Sequence, residues 1–171
     1  MPPGQGRYTS DNGDLIAREP KTVFISYSDE DLQYLEMLRP FLDQLESQKY
    51  IKVFNHRRIK LGANRWSETK LAISKCSAAI LIVTQVYLNS PDVLSNQLPE
   101  LLDEAKCRGL KIFPLKVEPC LYDVSRLSDF QPFIRRNKST KKTLSQIARK
   151  GDKQELLVEF FETVIAEITH L

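Results

Sequence analysis

The chain has 171 residues, enough for one well-buried core and too few for two, and its 42% apolar and 27% charged residues are ordinary globular usage. A net charge of +3 neither demands nor excludes nucleic acid. No apolar run approaches the roughly 20 residues that cross a bilayer, and Met1-Pro-Pro-Gly-Gln-Gly lacks the order of a secretion signal. Cys76, Cys107 and Cys120 form an odd set without metal-ligand spacing, so reduced thiols, no metal and a cytoplasmic setting without a membrane partner are expected.

Residues 1–20 are rich in Gly, Pro, Ser, Asp and Asn and read as a flexible leader; one domain is expected over 21–171. Thr22-Val-Phe-Ile-Ser-Tyr-Ser is a β-rich run ending in small hydroxyl residues. From Asp29, the spacing of Leu32, Leu35, Leu38, Leu42 and Leu45 predicts a helix, capped by Asp29 or Asp31 and kinked or broken at Pro40. Ile51-Lys-Val-Phe is a second strand. A basic loop follows, then a helix with Asn64 as its cap. Ala78-Ala-Ile-Leu-Ile-Val is apolar throughout, as a central parallel strand covered on both faces should be. Ser90-Pro91 opens a further helix that ends near Gly109, and Lys111–Val117 is another strand. The segment from Glu118 to Asp152 is irregular. Its basic run from Arg135 to Lys142 lacks interleaved aromatics and reads as a solvated face rather than a nucleic-acid site. The stripe Leu156, Leu157, Phe160, Phe161, Val164, Ile165 and Ile168 predicts a closing amphipathic helix packed on the core.

Alternating strands and helices imply βαβ units around a parallel sheet, with ligands beyond the strand carboxyl ends. Neither GxGxxG nor GxxxxGK[ST] is present, which argues against dinucleotide-fingerprint and P-loop phosphate sites.

Several segments stand in a telling order: Phe24-Ile-Ser-Tyr-Ser with Asp29 and Asp31, Ile51-Lys-Val-Phe, Arg57-Arg-Ile-Lys-Leu-Gly, Trp66, Ala72-Ile-Ser-Lys-Cys-Ser-Ala-Ala-Ile-Leu-Ile-Val, Tyr87-Leu-Asn-Ser, Leu98-Pro-Glu-Leu-Leu and Ile112-Phe-Pro-Leu. Together they resemble the Toll/interleukin-1 receptor (TIR) domain, specifically its bacterial defence type, from about Lys21 to Tyr122. The resemblance implies a flavodoxin-like α/β domain with a central parallel sheet of about five strands. It also implies NAD⁺ as substrate rather than cofactor, cleaved between nicotinamide and ribose to give ADP-ribose or a cyclic isomer. The implied setting is antiviral or immune signalling, switched on by self-assembly under a fused or separate sensor of cyclic nucleotide or foreign nucleic acid.

Cleaving that bond develops positive charge on the ribose, which a facing carboxylate stabilises. In the family this is a Glu before a Leu-Pro pair. Here the position holds Gln97, whose amide can bond a ribose hydroxyl but carries no charge. The resemblance therefore implies a domain that binds NAD⁺ better than it cleaves it. Gln97 fits either a natural domain kept for assembly or an isosteric replacement of Glu, and Glu100, one turn on, is the alternative carboxylate. Ser26, Tyr27 and Ser28 are candidate ligand contacts, or else an ST-turn capping the next helix. Arg57 and Arg58 suit a pyrophosphate. Trp66 could stack on a ring, or simply half-bury at a helix start. The resemblance makes Ile59, Lys60, Leu61 and Gly62 an assembly loop. A scaffold without enzymatic activity, working through TIR–TIR contacts alone, is the competing reading.

Overall fold

The computed structural model describes residues 19–133, 135 and 141–170. The expected leader falls largely outside the described residues, as does most of the basic run after Arg135. Strand β1 (Lys21–Ser26) leads through a short 3₁₀ turn, Asp29–Asp31, into helix α1 (Leu32–Ser47). Strand β2 (Ile51–Phe54), a second 3₁₀ turn at His56–Arg58, helix α2 (Arg65–Lys75) and strand β3 (Ala78–Val83) follow. Helix α3 (Gln85–Asn89) and helix α4 (Leu98–Arg108) precede strand β4 (Lys111–Lys116), and helix α5 (Lys150–Thr169) closes the fold.

The sheet is wholly parallel in the order β2-β1-β3-β4. Among the described residues it has four strands where about five were expected. After β4 the described residues form turns at Tyr122–Val124 and Leu144–Gln146 and no further strand. Every residue of β3 is buried, because helices cover both faces. Val23, Ile25, Ile80 and Ile82 face α1 and α5, packing on Leu38, Leu42, Phe160 and Val164. Phe24, Leu81 and Val83 point the other way, onto Ile73, Tyr87, Leu98 and Leu101. The strand period of two therefore puts Ser26 on the α2/α4 side and Tyr27 on the α1/α5 side.

Three local expectations need correction. Helix α1 runs through Pro40, on its exposed face, so the break allowed for there does not occur. The Asp29 and Asp31 side chains cap nothing; Asp29 reaches His56 and Arg65, and Asp31 accepts from Thr84 Oγ1 at 2.5 Å. The helix opening at Ser90-Pro91 widens into a π-turn over Val93–Gln97 before α4 begins. Pro99 explains the place of that turn, since it has no N–H to donate one turn back. The Asn64 cap holds, its side chain accepting from Ser67 N at 2.9 Å. Gly109 ends α4 with φ of +72°, a conformation that suits glycine.

Candidate functional site

The connection from β1 leaves toward β2, and the connection from β3 leaves toward β4. The carboxyl ends of β1 and β3 therefore flank the switch point where such sheets bind ligands. Ser26 ends β1 there and is fully buried. Its hydroxyl donates to Gln97 Oε1 at 2.8 Å and lies 2.9 Å from the Tyr87 hydroxyl. Ser26 has one proton to give and gives it to Gln97, so Tyr87 must be the donor to Ser26. Gln97, 2% exposed, in turn donates from Nε2 to Asp92 Oδ2 at 2.8 Å. Asp92 is acceptor-only when ionised, which fixes the orientation of the Gln97 amide. A one-way chain of hydrogen bonds thus runs from Tyr87 through Ser26 and Gln97 and ends on the Asp92 carboxylate.

Asp92 is anchored a second time by Asn96 Nδ2 at 2.9 Å, and Arg65 Nη2 stands 3.6 Å from its Oδ2. Burial alone would raise its pKa. The two amides and the positive charge of Arg65 outweigh that and hold it below the ordinary carboxylate value. The same Arg65 reaches Asp29 Oδ2 at 3.5 Å, and Asp29 Oδ1 lies 2.6 Å from His56 Nε2. Burial again pushes the Asp29 carboxyl up, and His56 and Arg65 more than reverse it. His56 is buried and stacks on Tyr27 with ring centroids 4.7 Å apart.

Arg65, Trp66, Thr69, Asp92, Asn96 and Gln97 line a cleft of about 130 Å³ between α2 and the π-turn. Sites that enclose a drug-sized ligand run to roughly 300–1,000 Å³, so this cleft seats one ring or sugar rather than a whole dinucleotide. A larger cavity, about 450 Å³, lies beyond β4 among Lys116, Tyr122, Phe130 and Arg135 and shares no wall with the cleft.

The structure brings Ser26, Trp66 and Gln97 of the expected residues together here. Tyr27 is buried on the opposite face of the sheet, stacked on His56. Ser28 is buried and makes no side-chain cap bond, which removes the ST-turn reading of its hydroxyl. Arg58 turns to Glu46, with contacts of 2.9 and 3.0 Å, and to the Val53 carbonyl at 2.7 Å, while Arg57 is exposed. Glu100 pairs with Lys70 Nζ at 3.2 Å and does not line the cleft. In the expected assembly loop Leu61 is fully exposed, and Gly62 has φ of +83°. Arg135 reaches Glu155 and Glu159 on α5. Asp92, Asn96, Thr69 and Arg65 escaped the sequence reading.

A sequence profile of the TIR domain matches residues 23–148. The chain belongs to the TIR family. Solved structures agree on the fold of this TIR domain. The TIR domains of the activated Roq1 resistosome, described as directly recognising the pathogen effector XopQ, superpose with a TM-score of 0.58 at 19% identity, covering 84% of this chain and 99% of that one. The TIR domain of the Toll-related receptor TRR-2 from Hydra magnipapillata gives 0.51 at 18%, over 86% and 97%. A prokaryotic SEFIR domain gives 0.50 at 13%, over 86% and 92%. No curated protein sequence matches significantly. Among the described residues, no helix is long and apolar enough to cross a membrane.

Proposed function

We propose that this TIR domain binds NAD⁺ with the ribose of its nicotinamide end in the Trp66–Gln97 cleft and the nicotinamide ring at the cleft mouth, and cleaves the bond between them, slowly as the sequence stands. The observation that carries the reading is the buried Ser26–Gln97 pair at the β1/β3 switch point, opening onto a cleft walled by the single tryptophan. Trp66 offers a face for the nicotinamide ring, and the amides of Gln97 and Asn96 offer partners for ribose hydroxyls. The C–N bond breaks with its electron pair going to nicotinamide, which leaves neutral without a general acid. Water then attacks C1′ and releases a proton, or an internal nucleophile closes a cyclic isomer. An uncharged residue 97 forgoes electrostatic stabilisation of the sugar cation, a loss on the order of 10²–10³ in rate where one preorganised group is removed.

Signalling in antiviral or immune defence, under a fused or partner sensor, belongs to the same reading. It rests on the resemblance to bacterial defence TIR domains and on likeness to the Roq1 resistosome domains. Activation by TIR–TIR contacts is supported by exposed Leu61 beside Gly62. The uncharged Gln97 favours the second reading, a scaffold that works by assembly alone.

Trp66 is the only tryptophan, so its fluorescence reports on the cleft directly. NAD⁺ and nicotinamide mononucleotide are expected to quench it saturably, and AMP is not. A flat response to all three rejects the site.

A further inference from the structure

The cleft does hold a negative charge, one step along the chain from the residue expected to carry it. Gln97 is uncharged and partly committed: one lone pair of its oxygen accepts from Ser26 and one of its N–H groups donates to Asp92. Asp92 keeps 43% of its side chain exposed and lines the cleft beside Trp66. Two amides fix its carboxylate, so it needs little reorganisation when charge develops in front of it. Its cationic neighbour Arg65 is half-exposed and 3.6 Å away, a long pairing that another cation in the cleft can replace.

We propose that Asp92 supplies the carboxylate that faces the ribose cation during cleavage, with Gln97 as the positioning residue that aims it. This rests on the reading of the cleft as the NAD⁺ site. The C–N electron pair leaves with nicotinamide, the positive charge passes to the ribose ring, and Asp92 stabilises it without forming a bond. Water adds at C1′ and its proton goes to solvent.

The pair can be reversed. Asp and Asn are isosteric, as are Gln and Glu, so D92N/Q97E keeps the 2.8 Å contact with its direction inverted and moves the charge to residue 97. Q97E alone instead sets two carboxylates against one contact, where like charges retain a shared proton. Nicotinamide release is measured under single-turnover conditions for the unaltered chain, D92N, Q97E and D92N/Q97E, with Trp66 quenching by NAD⁺ as the binding readout. D92N is expected to keep binding within about threefold and lose about 100-fold in rate, and the reversed pair is expected to recover to within about tenfold. Q97E is expected to show a new ionisation in its pH–rate profile. A D92N variant as fast as the unaltered chain overturns the proposal and leaves the cleft assignment standing. A folded reversed pair that binds NAD⁺ but stays inactive also overturns it, even where D92N alone fails to fold. If the unaltered chain neither binds NAD⁺ nor releases nicotinamide, the site reading fails and this proposal with it.

Discussion

Asp92 and Gln97 are joined by a 2.8 Å hydrogen bond across five residues of chain. An α-helix brings side chains three and four apart together, and only a π-turn brings i and i+5 into line. The turn over Val93–Gln97 therefore builds the polar wall of the cleft. It lets Asn96 and Gln97 grip the two oxygens of one carboxylate.

Ser26→Ala removes the acceptor of Tyr87 and the donor to Gln97, leaving two buried polar groups unpaired. An unsatisfied buried group costs about 1–3 kcal/mol. With two such groups, denaturant unfolding should show a loss of about 2–6 kcal/mol, together with weaker NAD⁺ quenching of Trp66. An unchanged midpoint would mean the Tyr87–Ser26–Gln97 chain contributes nothing to the fold.

Arg58 is committed to Glu46 and to the Val53 carbonyl. Arg58→Ala should cost about 1 kcal/mol of stability and leave NAD⁺ affinity within about twofold. A large loss of affinity with unchanged stability would return Arg58 to the ligand-binding role expected from sequence.

The buried carboxyl of Asp31 is pushed up by burial, and Glu118 and Glu30 add to that beyond what Thr84 offsets. Its folded pKa exceeds its unfolded value, so the folded chain binds this proton more tightly. The site disfavours folding near neutral pH, and that cost fades as pH falls through the raised pKa. Asp31→Asn should raise the melting temperature at neutral pH by about 2–4 °C, the shift that ~1 kcal/mol gives in a domain of this size. A lowered melting temperature would show that Thr84 needs the charge. Asp29 and Asp92 act in the opposite sense. Their folded pKa values lie below the ordinary 3.8, so their stabilisation is full above about pH 4 and is lost as pH falls through the lowered values.

Leu61 is a fully exposed leucine beside a glycine in the left-handed region. Leu61→Asp should abolish concentration-dependent self-association in light scattering while leaving the melting temperature unchanged. Undiminished association would place the assembly surface elsewhere.

The sheet was legible because its signal is local: the all-apolar Ala78–Val83 and the hydroxyl-ended β1 announce a covered parallel core. Ser26, Trp66 and Gln97 were found through their order along the chain. Asp92 and Asn96 were missed because a spacing of 3.6 residues gives no reason to pair 92 with 97. Arg65 and His56 were missed as partners because both reach Asp29, 36 and 27 residues away, across elements whose packing sets the distance. Pro40 does not end α1, because an exposed proline in a long helix leaves its tertiary packing intact.

Nicotinamide release from NAD⁺ by the unaltered chain, at a concentration or crowding that permits assembly, is the decisive measurement. The expected result is slow release matched by ADP-ribose or its cyclic isomer, accompanied by saturable quenching of Trp66. Undiminished NAD⁺ and an unresponsive Trp66 in a chain that visibly assembles would contradict it and leave a scaffold in its place.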